Sequence, residues 1–314
     1  MSRYDIVFIG TAIVDAILKG FDPKPVSATG YRADSCSLHA GGEAVNGAIA
    51  AAKLGMKTAI LCALGKDAAG DMIEASLSSY GVDTSLIVRS ADHPTPVTTM
   101  FVAEDGSRRS ITNQAHRYNF HPERYADAMT DAGAVVLGSL FRAPFDDPDV
   151  VRTIAAAARA KGIPVFADTK LPNFTKLGLE DLADSLPLID CMTPNEDEAR
   201  YYSGKDDPEK MADAFLDTGV GSVIVKLGGK GCLFKNKEKK LYLPACPIDA
   251  VDASGAGDNF LAGYVSEKLR GSSIDQALTF ANACGAICTT AVGACTALKD
   301  RRQVEKFIKE MSEQ

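Results

Sequence analysis

A glycine-rich turn that leads into an apolar helix is the part of this sequence best suited to chemistry. Asp252-Ala-Ser-Gly-Ala-Gly-Asp258 is followed by residues 259–269, in which apolar side chains recur at helical spacing. Gly255, Ala256 and Gly257 leave three backbone amides unobstructed at the N-terminus of that helix. The helix dipole favours an anion at the same point. The turn therefore predicts a site for a negatively charged group, such as a phosphoryl group in transfer.

Asp258 places a carboxylate at the mouth of this predicted anion site. A negative charge beside an anion is unfavourable unless it has a task, and accepting a proton from an attacking hydroxyl is such a task. An aspartate in the first turn of a helix is also stabilising by itself, by about 0.3–1 kcal/mol. From these residues alone, a catalytic base and an ordinary helix start both stay open.

A second glycine pair opens an alanine-rich helix nearer the N-terminus. Gly41 and Gly42 allow a ligand to approach the backbone, and Asn46, one turn later, can donate and accept hydrogen bonds to a polyol. The alternative is a packing helix with Asn46 exposed. Asp15 follows the buried strand predicted for residues 4–10, close to the end of a strand where open α/β sheets bind ligands. The alternative for Asp15 is an acid facing water.

Two further candidates could hold a metal or phosphates. Asn195 and Glu198 stand three residues apart on one face of a helix that begins after Pro194. An amide and a carboxylate suit a largely hydrated Mg²⁺, whereas the alternative is a capping arrangement at the helix start. Asp168 ends a predicted strand and is a candidate for the same region.

The elements that must position these residues follow an α/β pattern. Predicted strands and helices alternate along the chain, which favours a mostly parallel sheet with right-handed crossovers. The predicted strands and helices are strands at 58–64, 134–138, 164–168, 188–192 and 222–226, and helices at 150–160, from Glu196, at 275–290 and from Asp300. Residues 18–40 and the hairpin formed by 97–103 and 107–112 predict a smaller, separate sheet.

Composition excludes several classes of function. The chain has 314 residues, 46% hydrophobic and 24% charged, which is typical of a globular protein with a large core. A net charge of −7 without a basic run argues against a nucleic-acid surface. No apolar run reaches membrane-spanning length, and the first residues lead directly into a strand, so we expect no signal peptide and a cytoplasmic protein. Eight cysteines without ligand-like spacing are expected to be reduced core residues.

The two glycine-rich stretches resemble the two signatures of the ribokinase-like (PfkB) carbohydrate kinases. Asp252–Asp258 with Asn259-Phe260 resembles the C-terminal signature, and Gly41–Gly55 resembles the N-terminal one. The segments at 65–70, 195–198 and 226–231 are similar to softer family motifs. The resemblance implies one three-layer α/β/α domain over residues 1–314, with a mostly parallel central sheet. It also implies a small β-sheet lid, formed by about 11–40 and 95–118, that covers the sugar and often makes a dimer contact.

The resemblance also implies a role for each candidate residue. Asp258 would be the general base, and Gly255, Ala256 and Gly257 the anion hole. The remaining implied sites are sugar contacts at Asp15, Gly41, Gly42 and Asn46; nucleotide contacts at Asn195, Lys226, Gly228, Gly231 and Asn282; Mg²⁺ at Glu198; and a monovalent cation such as K⁺ near Asp252, Ser254 and Gly293.

The function implied is an ATP-dependent kinase that phosphorylates a hydroxyl of a ribose- or fructose-type sugar, working as a homodimer through the lid. Ribokinases usually have an asparagine and a lysine where this chain has Ile13 and Glu43, which weakens ribose as the substrate. An adenosine-type nucleoside kinase and a non-catalytic sensor of the same fold are the alternatives. A phosphosugar ranks lower, with Arg108, Arg109 and Arg117 as the residues that keep it open. A Rossmann dehydrogenase is disfavoured because no Gly-x-Gly-x-x-Gly follows the first strand.

Overall fold

The computed structural model describes residues 2–20, 33–102, 108–113, 120–173 and 175–313. Within these ranges the strands are β1 (Tyr4–Ile9), β2 (Ile13–Lys19), β3 (Ser35–Gly41), β4 (Thr58–Leu61), β5 (Ala63–Gly65), β6 (Val88–Ser90), β7 (Val97–Val102), β8 (Arg108–Thr112), β9 (Ala132–Leu140), β10 (Val165–Thr169), β11 (Cys191–Met192), β12 (Ser222–Lys226), β13 (Cys232–Asn236) and β14 (Lys240–Leu243). The helices are α1 (Glu43–Lys53), α2 (Ala68–Ser79), α3 (Ala126–Met129), α4 (Pro148–Ala160), α5 (Glu196–Ser203), α6 (Pro208–Leu216), α7 (Ala256–Leu269), α8 (Ile274–Cys288) and α9 (Arg301–Ser312).

The central sheet is mostly parallel, as the alternating sequence pattern predicts. In the described part of the chain it has eight strands in the order β14-β13-β12-β11-β10-β9-β1-β4. The strands from β12 to β4 pair in parallel, and β13 and β14 add an antiparallel edge. Strand β1 reads as a continuous apolar run because both of its faces are buried.

Helices cover both faces of this sheet. On one face, side chains of α1, α2, α7, α8 and α9 join one hydrophobic core. On the other face, side chains of α3, α4, α5 and α6 join a second core. The predicted α/β/α arrangement with a mostly parallel central sheet is confirmed.

A second, smaller sheet has the strand order β3-β2-β7-β8 and stands apart from the central sheet, as predicted. Its strands fall within the predicted lid ranges, of which residues 21–32, 103–107 and 114–118 lie outside the described residues. Asp15 pairs with His39 on one side and with Thr98 on the other, so these side chains share one face of the lid.

Two strand predictions are wrong in part. The run at 58–64 divides at Cys62: β4 joins the central sheet, whereas β5 pairs with β6 in a separate two-stranded parallel sheet. The strand predicted at 188–192 is reduced to Cys191–Met192, because residues 186–188, with Pro187 inside the turn, form a short 3₁₀ helix first. In both cases the apolar residues are present as predicted, but the extent of the strand depends on which neighbouring strand they pair with.

The topology brings the candidate residues to one edge of the central sheet. The loops that follow the parallel strands and the N-termini of α1, α5 and α7 meet where these strands end, which is the usual ligand-binding edge of such a sheet. Among the described residues, no helix is long and apolar enough to cross a bilayer.

Helix α1 packs closely on the sheet because Gly47 has no side chain. A Cβ built on Gly47 would lie 2.6 Å from the Phe8 ring, and Phe8 is buried in β1. Since Gly47 directly follows Asn46, this contact sets how deeply the Asn46 side chain enters the site.

We predict that Gly47→Ala destabilises the protein although alanine favours helix. The helix gain is about 0.5–1 kcal/mol, whereas overpacking against a fixed ring costs about 1–3 kcal/mol. Urea unfolding measures the difference. The matched control is the double variant Gly47→Ala with Phe8→Leu. Its loss of unfolding free energy is expected to be smaller than the sum of the losses in the two single variants. Strict additivity would contradict the contact.

Candidate active site

The glycine-rich turn at the start of α7 holds backbone amides open. Gly255 is the N-cap with φ 74°, and a Cβ there would lie 2.3 Å from the Cβ of Ala294, so only glycine fits. Within the described residues, no hydrogen bond engages the amides of Gly255 and Gly257. The amide of Ala256 donates to the Ala253 carbonyl at 3.3 Å. The three amides predicted to be available are therefore two open donors and one in a long turn bond.

Asn259 ties this turn to the loop before α9, and sequence reasoning missed it. Its Nδ2 donates to the carbonyl oxygens of Gly255 at 2.8 Å and Ala294 at 2.9 Å. The side chain is buried, and its Oδ1 has no hydrogen-bond partner in the described part of the chain. Position 259, one helical turn after Gly255, was the available signal.

Asp252 braces the same two loops. Its Oδ1 accepts from the backbone amide and hydroxyl of Ser254, at 3.0 and 2.8 Å, and its Oδ2 accepts from the Gly293 amide at 3.0 Å. The structure thus brings together the three residues predicted near a monovalent cation. Because the carboxylate already accepts hydrogen bonds on both oxygens, its clearest task is to hold the loops, and cation binding stays a prediction.

Asp258 and Asn46 meet at the N-termini of two helices. The Asn46 Nδ2 donates to the Asp258 Oδ2 at 2.8 Å. Asn46 is buried, so its alternative interpretation as an exposed residue of a packing helix is wrong. Burial raises the pKa of Asp258 to about 6, against the lowering effects of the Lys170 charge and the Asn46 hydrogen bond. A carboxylate with this pKa is a better proton acceptor than an exposed aspartate.

The glycine pair before α1 gives room to the carboxylate of the lid. A Cβ on Gly41 would lie 2.3 Å from the Asp15 Oδ2, and a Cβ on Gly42, whose φ is 97°, would lie 2.3 Å from the Thr11 carbonyl oxygen. Glu43 accepts a hydrogen bond from the Thr11 amide at 3.1 Å. Asp15, on the lid, and Asn46, in the first turns of α1, therefore lie near the same glycine pair.

A buried ion pair adjoins the anion turn on its other side. The Lys226 Nζ donates to both carboxylate oxygens of Asp168 at 2.8 Å, and Thr193 Oγ1 donates to Asp168 Oδ1 at 3.1 Å. A Cβ on Gly257 would lie 2.9 Å from the Lys226 Nζ. Lys226 is thus at the anion turn, as a residue on the nucleotide path would be, but it is already paired with Asp168.

Asn195 and Glu198 form a capping box at the start of α5. Asn195 Oδ1 accepts from the Glu198 amide at 2.9 Å, and Glu198 Oε2 accepts from the Asn195 amide at 3.0 Å and from Thr169 Oγ1 at 2.8 Å. The capping alternative is therefore what the structure shows. Burial and the neighbouring Asp168 raise the pKa of Glu198, while Lys226 opposes this rise.

The set of donors fits a hydrated metal better than an all-protein site. Among the described residues, no group of three or more histidine, cysteine or acidic side chains could hold a metal ion. The Glu198 Oε1 makes no hydrogen bond in the same residues, which leaves one carboxylate oxygen at the strand ends. A single carboxylate suits Mg²⁺ that takes its other ligands from phosphates and water.

The remaining nucleotide candidates have structural partners. The Gly231 carbonyl accepts from the Leu227 amide at 2.8 Å, and a Cβ on Gly231 would lie 2.0 Å from the Leu243 carbonyl oxygen. Asn282 Nδ2 donates to the Pro244 carbonyl at 3.1 Å. Gly228, with φ 57°, has nothing within 4 Å of a built Cβ and faces open space. These residues frame the turn after β12, and their contact with a nucleotide stays a prediction.

The lid arginines give little support for a phosphosugar. Arg109 pairs with Phe101, which pairs with Leu18, so Arg109 lies on the opposite face of the lid from Asp15. The Arg108 side chain and Arg117 lie outside the described residues.

Similarity to known proteins agrees with this geometry over almost the whole chain. A ribokinase of Arabidopsis thaliana is 30% identical, covering 97% of this chain and 81% of the relative. A probable fructokinase-5 of the same plant is 28% identical, covering 87% and 89%. The solved structure of A. thaliana ribokinase complexed with ribose and ATP has a TM-score of 0.85 at 27% identity and covers 98% of this chain and 99% of that one.

The sequence profile of the pfkB family carbohydrate kinases matches residues 3–301. That range contains both glycine-rich turns, the Asn46–Asp258 contact and the lid. The chain therefore belongs to the pfkB family of carbohydrate kinases, which transfer phosphate to an alcohol acceptor.

Proposed function

We propose that this kinase transfers the γ-phosphate of ATP to a hydroxyl of a ribose- or fructose-type sugar, with Asp258 as the proton acceptor. The observation that carries the proposal is the buried Asp258 carboxylate, with a pKa raised to about 6, held by Asn46 at 2.8 Å beside the open amides of Gly255 and Gly257. A buried carboxylate and open amides at one helix start support the roles of base and anion site. The similarity to a ribokinase and to a fructokinase supports the sugar class.

The chemistry follows from these positions. As the sugar oxygen forms its bond to the γ-phosphorus, the bond to the bridging oxygen of ADP breaks, and Asp258 takes the hydroxyl proton. The amides of Gly255 and Gly257 donate to the charged oxygens of the transferring group, which is worth most when charge develops there. Glu198 and Asn195 would hold Mg²⁺, which screens the phosphate charge when bound.

The sugar is held between α1 and the lid. Asn46, which already contacts Asp258, orients a hydroxyl toward the base, and Asp15 accepts from hydroxyls on the side of the lid. Closure of the lid excludes water, which would otherwise compete as the acceptor. Asp252, Ser254 and Gly293 lie together through the hydrogen bonds of Asp252, and backbone carbonyl groups near Gly293 would join Asp252 around a monovalent cation.

We also propose that the outer face of the lid forms a homodimer. Leu38 and Ile111 lie on the face opposite Asp15, and they are 58% and 68% exposed. Two large apolar side chains on the central row of a small sheet favour burial against a second copy. Sedimentation velocity distinguishes this dimer from a monomer.

A nucleoside kinase is the second candidate, and it needs a recess for the base beside the sugar site. Apolar residues line this cavity beside the loop after β1: Ala12, Ala63, Pro96, Phe120, Ala143 and Pro144, together with Gly10 and Thr11. Thr11 donates to Glu43, so the cavity adjoins the proposed sugar pocket. The cavity has a volume of about 20 Å³, against about 300–1,000 Å³ for a typical ligand pocket, so a base attached to the sugar would need a wider recess than this one.

The first prediction about function separates these candidates. ADP release is measured with ATP, Mg²⁺ and a panel of D-ribose, D-fructose, 2-deoxyribose and adenosine. We expect the highest kcat/KM with a free sugar. Highest turnover with adenosine would establish the second candidate, and no turnover with any compound would favour a sensor.

Asp258→Asn is expected to lower kcat by about 10²–10⁴ while ATP binding is kept. The control is Asp217→Asn, a change at an exposed position after α6.

The second prediction concerns pH. Because burial raises the pKa of Asp258 to about 6, the carboxylate is protonated, and lost as a base, as the pH falls through that value. We expect kcat/KM to fall about tenfold for each pH unit below the inflection. Initial rates between pH 4.5 and 8 measure it. An acidic inflection near 4, the ordinary range of an aspartate, would contradict this role.

The third prediction tests the anion turn. Gly257 has helical backbone geometry, so alanine fits the backbone, but its methyl group would lie 2.9 Å from the Lys226 Nζ, which Asp168 holds in place. We expect Gly257→Ala to lower kcat by about 10–100-fold. The free energy of unfolding, measured by thermal denaturation, is expected to change by no more than about 1 kcal/mol, because alanine favours the helix. A variant with full turnover would show that the phosphoryl group passes elsewhere.

A further inference from the structure

Lys170 has a fixed backbone at the carboxyl end of β10. Its amide donates to the Leu140 carbonyl at 3.1 Å, and its carbonyl accepts from the Tyr202 hydroxyl at 2.6 Å. The Tyr202 ring stacks on Phe141, with ring centroids 4.0 Å apart, and Phe141 is fully buried. A lysine on an exposed loop has no such support, so the start of this side chain is held in one place.

Lys170 lies beside two acids of the site, because Asp168 precedes it by two residues and the intervening Thr169 donates to Glu198. Burial alone would lower the pKa of its ammonium, but the charges of Asp258, Asp168, Glu198 and Glu43 together raise it. The lysine therefore stays charged at neutral pH. Burial raises the pKa of Asp258 and the Lys170 charge opposes that rise, so each group responds to the charge of the other.

The ammonium of Lys170 has no fixed partner. In the described part of the chain, no hydrogen bond or ion pair engages its Nζ. The other buried lysines of the region are committed. Lys226 is paired with both oxygens of Asp168, and Lys53 donates to the Leu298 carbonyl at 2.8 Å and to the Cys295 carbonyl. Lys170 is thus a charged donor that remains available to a ligand.

The four acids around Lys170 belong to two halves of the site. Asp258 and Glu43 lie on the sugar side, at the starts of α7 and α1, whereas Asp168 and Glu198 lie at the strand ends on the nucleotide side. A charge that acts on both pairs lies between the halves. In a direct transfer from nucleotide to sugar, the group that passes between the halves is the phosphoryl group.

We propose that Lys170 is a catalytic residue that donates hydrogen bonds to the oxygens of the phosphoryl group while it is transferred. This inference rests on the proposed function. Lys170 keeps its proton throughout: the new bond joins the sugar oxygen to phosphorus, the bond to ADP breaks with its electron pair, and Asp258 receives the hydroxyl proton. The site already carries four carboxylates, which repel a triphosphate. A positive charge that is not already paired within the protein would offset this repulsion, and Lys226 is paired with Asp168.

The test uses Lys170→Met and Lys170→Arg, with Lys161→Met, at the exposed C-terminus of α4, as the matched control. Calorimetry in Mg²⁺ compares binding of ADP with binding of the non-hydrolysable ATP analogue AMP-PNP. We expect Lys170→Met to weaken AMP-PNP at least tenfold while ADP binding changes less than threefold, and Lys170→Arg to restore part of the loss. Equal loss of both nucleotides, or no loss of either, would overturn the proposal. This measurement needs no sugar, so it stands if the proposed substrate is wrong.

Kinetics supply the second readout, with the best substrate of the panel. We expect Lys170→Met to lower kcat by about 10²–10³ with the sugar KM nearly unchanged. Its acidic inflection is expected to move to higher pH, because the charge that lowers the pKa of Asp258 is gone. A kcat within threefold of the wild type would overturn the catalytic role. A wild type that phosphorylates no compound would instead refute the proposed function, leaving the nucleotide comparison to decide on Lys170.

Discussion

The site depends on one hydrogen bond between two helix starts, from Asn46 to Asp258 at 2.8 Å. These residues are far apart in sequence, and the bond forms only when α1 and α7 pack side by side on the same face of the sheet. Gly47 allows α1 to approach Phe8, which sets the depth of Asn46. The carboxylate proposed as the base is therefore oriented by packing in the core, and a change beneath the helix would alter its position without touching a ligand.

Burial of so many charges is tolerated because most of them are compensated locally. Lys226 neutralises Asp168, Glu198 accepts hydrogen bonds from Asn195 and Thr169, and the Asp258 carboxylate has a single amide donor. Burial still raises the pKa of Glu198, and it moves the pKa of Asp258 to about 6. The same environment that makes Asp258 costly to bury brings its pKa toward neutral pH, as the proposed role of base requires.

Local patterns in the sequence predicted what local physics determines. The open turn at Gly255, the helix starts at Gly42 and Asn195, and the apolar strand β1 all follow from neighbouring residues. The Asp168–Lys226 pair and the bridge from Asn259 to Ala294 join distant segments, so no spacing rule indicates them. The division of the 58–64 run at Cys62 was missed for the same reason, since it depends on which strand lies alongside.

The glycines of the two signatures explain why these stretches carry so much functional information. At Gly41 a side chain would collide with the Asp15 carboxylate, and at Gly257 it would collide with the Lys226 ammonium. Each of these glycines therefore leaves room for a charged group that lies directly opposite. Gly255 differs, because it is required by its own positive φ and by contact with Ala294. Glycine is thus required for two different reasons, room for a neighbouring group and a left-handed backbone. Only the structure separates the glycines that make room for chemistry from the glycine that shapes the turn.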